Sequence, residues 1–526
     1  MIIRNRAVAG VAFIVAGIAT AVIYAVLGGW YMPDALSQAQ SRVPWFLALS
    51  AVQFLLLLAA AWALRCHVRD SALSSRMKGL ILGFAVVFRL CLLLQTPWLS
   101  NDIYRYVWDG RLVTHGVNPY TLPPAAAELA SLRDDSVYGR MSHTEVHTVY
   151  PPLLQYLFAA GVALAEAFDV DPVICLKAVL LLFDLLLAGM LLHLLPGFGL
   201  AGGAALLYAW HPMPIIEIAG SGHSDVVGVL CLLIAIHATR RNHHASAALF
   251  LALAFLVKFL ALLLLPFWVV AAWRTAGRRA AALSLAVFAV TILLSYAPFV
   301  QAGSQLLAGL LVYSAKWRFN DSVFAMLFNT VHTLLPDRLV TLLMVPAHWE
   351  ATEAVLRTRR IDLALHLAKA GVAVLFLLFY AQIGRRFWLA QKGEGAGLLP
   401  QIALAVLASF LLLSPTLQPW YLLWLLPLLC LSQRGPDGDA QQTSRPALFP
   451  ALISKPGLNG LWLLTATVFL SYWILHDYQS SGVWQEAAWW KWLEFSPPFV
   501  LLLWGIAAQR AGRDEMKMPP DDSRGI

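Results

Sequence analysis

The chain has 526 residues, 60% of them hydrophobic and 13% charged, and a formal net charge of +8. Mean hydropathy is +0.69. This composition excludes a soluble globular enzyme, and repeated apolar runs of about 20 residues define an all-α polytopic membrane protein. The positive charge does not indicate nucleic-acid binding. The basic residues fall in short clusters between apolar runs, as the bias of Lys and Arg toward cytoplasmic loops requires.

Arg4 and Arg6 place the N-terminus inside. The first run, about 7–31, lacks a small-residue cleavage site and reads as a retained helix. A second helix, about 44–64, returns to a loop with Arg65, Arg69, Arg76 and Lys78. A third, about 79–97, then leads to the outer face. There it meets W-L-S-N-D-I-Y-R-Y-V-W-D-G-R-L-V-T-H-G-V-N-P-Y, residues 98–120. Residues 98–149 hold six acids, four Lys/Arg and three His, a balance that suits an external loop in a basic chain.

Residues 150–168 open on Y-P-P-L and read as a juxtamembrane segment, because that keeps the later basic clusters on the inner side. An external catalytic loop with juxtamembrane helices is thus expected over 98–171. Helices follow at 172–195, 199–219 and 223–239, leaving G-S-G-H-S-D (220–225) outside. The run 245–273 lies between Arg240/Arg241 and Arg274/Arg278/Arg279, so it should cross an even number of times. Its length gives two short helices of roughly 20 Å each, with Lys258 at the apex of a broken hairpin. The alternative is one tilted helix with a snorkelling lysine.

Helix 280–300 exits, and residues 301–360 form a second external, partly interfacial segment. A helix at about 361–383 returns to Arg385 and Arg386. Another, from about 398, exits at S-P-T-L-Q-P-W-Y (414–421), and the next goes back in. Residues 433–456 read as a flexible cytoplasmic loop. Helix 456–475 leads to a tryptophan belt at Trp484, Trp489, Trp490 and Trp492. A last helix, about 495–509, precedes a cytoplasmic tail from 510. The total is about 14 transmembrane helices in a single membrane domain with both termini inside. Cys66, Cys91, Cys175, Cys231 and Cys430 lie in or beside membrane runs and suggest neither disulfides nor a metal cluster.

Asp102 is the leading candidate site residue. A carboxylate at the membrane boundary suits a general base toward a hydroxyl. It would otherwise pair with Arg105 or cap the next helix. Asp109, in W-D-G-R, suits pairing with Arg111 or closing a turn. Asn118 and Tyr120 sit in a proline-stiffened loop and suit sugar contact or structure. His223 and Asp225 start a helix from the outer face, where an anion is favoured, or form a capping arrangement. Ligation of a divalent metal by Asp102, His223 and Asp225 is open but disfavoured, since H-x-D alone is a weak metal signal. W-R-F-N-D (317–321) and P-W-Y (419–421) place aromatics where they would stack on sugars or anchor at the interface. No P-loop and no dinucleotide fingerprint is present.

Together these residues resemble the polyprenyl-phosphate-dependent glycosyltransferases of the GT-C fold, close to the bacterial polyprenol-phosphate mannosyltransferases and the first mannosyltransferase of GPI-anchor assembly. The resemblance rests on D-I-Y-R-Y-x-x-D-G-R-x-x-x-x-G-x-N-P-Y, on Y-P-P-L and on H-P-M-P-I-I-E-x-x-G-S-G-H-S-D. It continues through Lys258, W-R-F-N and S-P-T-L-Q-P-W-Y, spanning roughly 79–432. It implies a hexosyltransferase moving a hexose, mannose foremost, from a polyprenyl-phosphate carrier to a hydroxyl of a lipid or glycan acceptor. Transfer would invert the anomeric centre at the periplasmic face of a bacterial inner membrane, for an envelope glycan, without a cofactor. Asp102 would be the base. Arg105, Tyr120, His223, Asp225, Lys258, Trp317, Asn320, Trp420 and Tyr421 would border the donor. Two departures stand out: Asn101 precedes Asp102 where relatives often have an acidic pair, and two helices rather than one precede the catalytic loop. A lipid or solute transporter is the alternative function; a non-catalytic envelope-assembly subunit is a lesser one.

Overall fold

The computed structural model describes residues 2–29, 42–67, 73–346, 348–390, 395–432 and 455–515. The expected loop at 433–456 and the tail beyond 515 lie almost wholly outside these residues. Helices dominate throughout. The one extended pairing among the described residues is an isolated parallel bridge, Phe319 to Thr416.

Three long helices open the fold: α1 (Ile2–Gly29), α2 (Arg42–His67) and α3 (Ser75–Leu93). Both α2 and α3 pack against α1. Ser74 starts α3 by accepting from the Met77 amide. The 98–149 loop contains α4 (Asp102–Thr114), against which α5 (Pro152–Phe168) lies. The two approach so closely that a Cβ at Gly110 would sit 2.6 Å from the Phe158 carbonyl oxygen. Asp171 caps α6 (Pro172–Gly197), accepting from the Val173 and Ile174 amides at 2.8 and 3.0 Å, with Pro172 in the first turn.

The apolar stretch after α6 is not one regular helix. It comprises α7 (Leu206–Ala209), α8 (Pro212–Pro214) and a wide π-helical turn, Ile215–Gly220. Pro212 and Pro214 cannot donate to the preceding turn, so the helix breaks at His211. Next come α9 (Asp225–Arg240), α10 (His244–Phe255) and α11 (Leu265–Tyr296), which Gly277 (φ +82°, ψ −177°) divides into two helices. Lys258, with φ −150° and ψ 127°, interrupts the helix between α10 and α11, and those two helices pack side by side. The run therefore folds back on itself with Lys258 at the turn, as the flanking arginines predict. The segment expected outside at 301–360 holds α12 (Ala308–Lys316), α13 (Val323–Leu334) and α14 (Asp337–Met344).

The helix expected at 361–383 is longer: α15 spans Glu353–Leu389, capped by Thr352. Next are α16 (Gly395–Leu413), a 3-10 turn (Pro419–Trp424) and α17 (Leu426–Leu431). The last helices are Lys455–Thr467, Trp473–Ser481 and Ala488–Glu515. The last of these starts before the position expected from sequence and takes in Trp489, Trp490 and Trp492. About fourteen transmembrane helices are expected; among the described residues six helices are long and apolar enough to cross a membrane by themselves. The remaining apolar runs include shorter helices such as Pro152–Phe168 and Gly397–Leu413. Prolines and 3-10 turns cut these runs, and the interruptions at Gly220–Ser224, Lys258 and 414–418 meet at one end of the bundle. At the opposite end Arg274 donates to the Phe387 carbonyl (2.9 Å), joining two of the basic loops.

One buried polar knot ties the middle of the bundle. Arg89 on α3 meets Asp184 on α6 at 2.6 Å, both fully buried. Tyr208 donates to the same carboxylate at 2.6 Å, and Arg89 also donates to the Ala209 carbonyl at 2.8 Å.

Candidate active site

Two short connections aim the central residues. After α3, Lys177 on α6 donates to the carbonyls of Leu92 (3.0 Å) and Gln95 (2.7 Å), satisfying groups that a helix end leaves open. Asn101 then donates to the Arg140 carbonyl (3.1 Å) and the Ser142 hydroxyl (2.6 Å), and Asp102 follows as the first residue of α4. On the facing side the π turn ends at Gly220. Gly222 has φ +81°, and a Cβ there would lie 2.3 Å from Ile103, so only glycine fits. This bend presents His223 and Asp225 to Asp102.

The His223 imidazole is fully buried between two carboxylates. Its Nδ1 is 3.9 Å from Asp102 Oδ2 and its Nε2 is 3.4 Å from Glu217 Oε2. Tyr472, from the C-terminal part of the chain, donates to both Glu217 oxygens at 2.8 and 3.0 Å. Trp420 stacks on the imidazole at 3.7 Å. Asp225 Oδ1 accepts from Lys258 Nζ (2.6 Å) and Trp424 Nε1 (2.7 Å). The same ammonium lies 3.5 Å over the Tyr421 ring. Tyr421 shares a 2.5 Å hydroxyl–hydroxyl hydrogen bond with Tyr313, whose ring stacks on Trp317 at 5.3 Å. His143 meets the edge of Trp317 at 4.7 Å.

Asp102 keeps 36% of its side chain exposed, facing this cluster. Burial pushes its pKa up to about 6; Lys258 opposes the rise, Asp225 adds to it and Arg105 opposes it. Such a carboxylate is still largely ionised at neutral pH and is a stronger base than an ordinary aspartate. Three buried nitrogens around it have no hydrogen-bond partner: Arg105 Nη2 and both ring nitrogens of His223. Buried donors and acceptors are rarely left open, so these mark where a polar ligand would complete the site. Among the described residues no group of three or more His, Cys, Asp or Glu is arranged to hold a metal ion.

The structure thus gathers Asp102, His223, Asp225, Lys258, Trp420 and Tyr421, with Trp317 half-buried at the mouth. It corrects several expected contacts. Arg105 does not pair with Asp102; its Nε donates to Asp109 at 2.8 Å and its Nη1 to the Val146 carbonyl. Asp109 does not pair with Arg111, because Arg105, Thr148 and Gln155 already surround it. Arg111 pairs with Asp134 instead. Asp225 is no free capping residue, since Lys258 and Trp424 hold it. Tyr120 is buried in a small cluster with Phe299 and donates to the Tyr150 carbonyl at 2.7 Å. Asn320 is buried with its side chain on Glu494 (2.7 Å) and the Leu417 carbonyl (3.3 Å), so it fastens the 317–321 and 414–421 segments rather than facing Asp102.

Sequence reasoning missed Glu217, Tyr472, Trp424 and Tyr313. For Glu217 a signal existed: a lone acid in the apolar run I-I-E-I-A-G.

The fold and this cluster define an integral membrane protein with a polar, aromatic-lined site at one end of a helical bundle. Residues 4–275 match the MptA_B family, described as "Alpha-(1->6)-mannopyranosyltransferase, N-terminal domain". That is more than half of the chain, and the chain belongs to this family. It is a glycosyltransferase of the mannosyl-transfer type. Asp102, Glu217, His223, Asp225 and Lys258 fall inside the matched region; Trp420, Tyr421 and Tyr472 fall beyond it. No curated protein matches the chain.

Proposed function

We propose that the protein transfers mannose from a polyprenyl-phosphate carrier to the 6-hydroxyl of a glycan or glycolipid acceptor, with Asp102 as general base. The observation that carries this reading is the half-open Asp102 carboxylate amid buried nitrogens that lack protein partners. The family description supplies the α-(1→6) linkage. An α product made by inversion requires a β-linked donor. Asp102 then removes the proton of the primary hydroxyl, whose oxygen attacks the anomeric carbon from the face opposite the lipid phosphate.

The C1–O bond to phosphate breaks with its electron pair, and the leaving phosphate needs a cation. Lys258 suits this role. Its ammonium donates one hydrogen bond to Asp225 and lies over the Tyr421 ring, yet 24% of the side chain remains accessible. Asp225 holds Lys258 in place, so the ammonium is a positioned cation for the leaving oxygen. Arg105 Nη2 is a second donor for phosphate or sugar oxygen. Trp317 and Tyr313 offer aromatic faces to a sugar ring. We further place the site on the outer face of a bacterial inner membrane, because the basic loops gather at the opposite end of the bundle.

The test uses purified protein in lipid nanodiscs with β-mannosyl-phosphoryl-polyprenol and an α-(1→6)-mannobiose acceptor. A product extended by one α-(1→6) mannose, unaffected by EDTA, is expected. No transfer from the lipid donor, with transfer from a nucleotide sugar, would overturn the reading.

A further inference from the structure

We infer that the turn at 142–146, together with Trp317, is an acceptor subsite: His143, Glu145 and Trp317 hold the sugar next to the one whose hydroxyl is glycosylated. This rests on the transfer reading above and gives it an acceptor specificity. The turn is fastened to the helix that carries Asp102. Asn101, just before Asp102, donates to the Arg140 carbonyl (3.1 Å) and to the Ser142 hydroxyl (2.6 Å). Arg105, one helical turn after Asp102, donates through Nη1 to the Val146 carbonyl (3.0 Å). The Val146 amide closes the turn on the His143 carbonyl at 3.0 Å. Residues on either side of Asp102 in α4 thus hold both ends of the turn beside it. From the other direction α12 packs against the same loop, leaving no room for a Cβ at Gly309 beside the carbonyls of His147 and Thr148. Trp317, at the end of α12, meets the His143 ring at 4.7 Å. Its own carbonyl accepts from the Thr416 hydroxyl at 3.1 Å, and its ring stacks on Tyr313.

Inside this fixed frame two polar side chains stay open. His143 is 59% and Glu145 69% exposed, and the 3.6 Å between His143 Nδ1 and Glu145 Oε1 is too long for a good hydrogen bond. His143 also has φ +56°, a left-handed backbone that costs a residue with a Cβ. Glycine would make the same turn more cheaply; what the imidazole adds is its contact with Trp317. A sugar presents neighbouring hydroxyls and an apolar C–H surface. A carboxylate accepts from two hydroxyls at once, an imidazole offers a donor and an acceptor, and an indole offers apolar area. Charge separates this subsite from the donor phosphate. Glu145 repels a phosphate. The cation suited to it, Lys258, lies over Tyr421, which reaches Trp317 only through Tyr313. Inversion puts the acceptor and the leaving phosphate on opposite sides of the anomeric carbon. A subsite attached to the Asp102 helix, with two rings between it and Lys258, is therefore on the acceptor side.

The test compares two acceptors with the full chain in nanodiscs: methyl α-mannoside, which has one sugar, and α-(1→6)-mannobiose, which has a second. Wild-type kcat/KM should favour mannobiose by about tenfold or more, as hydrogen bonds to a charged group give. Glu145→Gln and Trp317→Leu should each bring that ratio toward one by raising KM for mannobiose, with KM for the lipid donor within about twofold of wild type. His143→Gly removes the ring while glycine keeps the left-handed backbone, and it should lose part of the ratio. His143 and Glu145 are exposed, so their variants should melt near wild type and keep the test decisive even where Trp317→Leu does not fold. A wild-type ratio near one, a wild-type ratio in Glu145→Gln and His143→Gly, or a raised donor KM in place of the acceptor KM would overturn the subsite. If the lipid donor gives no transfer at all, saturation-transfer NMR of mannobiose decides. A signal in wild type that is lost in Glu145→Gln keeps the subsite while the transfer reading fails; equal signals in the two proteins end both.

Discussion

Trp420 and His223 stack with ring centroids 3.7 Å apart and planes 14° from parallel. This contact joins the C-terminal part of the chain, outside the family match, to a residue inside it. The proposed site therefore draws on both parts of the chain, although the family match lies in the first. Trp420→Leu removes the stacking face, which is worth about 0.5–1.5 kcal/mol. We expect kcat to fall roughly tenfold with unchanged expression, and Trp420→Phe to retain most of it. Steady-state kinetics of the two variants would check this; equal losses would show that the flat face is not what matters.

Lys258 and Asp225 are a partly buried pair, so removing one partner alone strands a charge. Lys258→Met should lower both stability and rate, since breaking a buried pair typically costs about 3–5 kcal/mol and accessibility at Lys258 lowers that figure here. The double variant Lys258→Met/Asp225→Asn should regain the melting temperature but not the activity. Recovery of turnover in the double variant would show that Lys258 serves only to neutralise Asp225.

The raised pKa of Asp102 fixes two signs. As a base it must be ionised, so kcat/KM should rise with pH through about 6 and then level off. For stability the sign is opposite. A carboxyl whose folded pKa exceeds its unfolded value of 3.8 contributes stability below that value and loses it as pH rises through about 6. Asp102→Asn should thus melt no lower than wild type at pH 7.5 while losing the pH-dependent limb. Thermal unfolding at pH 5 and 7.5 would reveal this, and a variant markedly less stable at pH 7.5 would contradict it.

Much of this arrangement is legible from local chemistry. Asp102, His223, Asp225, Lys258, Trp420 and Tyr421 each lie where an apolar run ends or breaks, and a polar group there stands out against its neighbours. The turn at Lys258 follows from basic residues at both ends of the 245–273 run. What the sequence hides is which polar groups pair. Arg105 and Asp109 are four apart on one helix face, and so they meet. Asp102, three residues before Arg105, is also within reach on a helix, but the guanidinium is held by Asp109 and the Val146 carbonyl, which leaves Asp102 for the pocket. Tyr120 and Asn320 have the same residue types as sugar-contacting groups, and only tertiary packing shows that the Tyr120 hydroxyl and the Asn320 amide nitrogen donate inside the protein. Glu217 stands out as a lone acid in an apolar run, but a regular helix period does not describe a π turn and so does not show that it meets His223. Arg89 and Asp184 are separated by 95 residues, so their pairing has no local signature.

That Arg89–Asp184 pair lies away from the reacting groups and should behave as structure. Arg89→Met leaves a buried carboxylate unpaired, a loss of about 3–5 kcal/mol. Arg89→Met/Asp184→Leu should restore much of that stability and also the transferase activity. Thermal unfolding in nanodiscs together with the transfer assay would check it; a stable but inactive double variant would place the pair in the mechanism.

The central claim is that Asp102 is the base for mannosyl transfer, and single-turnover transfer by Asp102→Asn tests it most directly. The variant would be loaded with β-mannosyl-phosphoryl-polyprenol, mixed with an α-(1→6)-mannobiose acceptor, and monitored for the extended product. The account predicts donor binding and a melting temperature like those of the wild type, with transfer slowed by about 100-fold or more, within the range of losing a positioned general base. Transfer at the wild-type rate by a folded, donor-bound Asp102→Asn would contradict it.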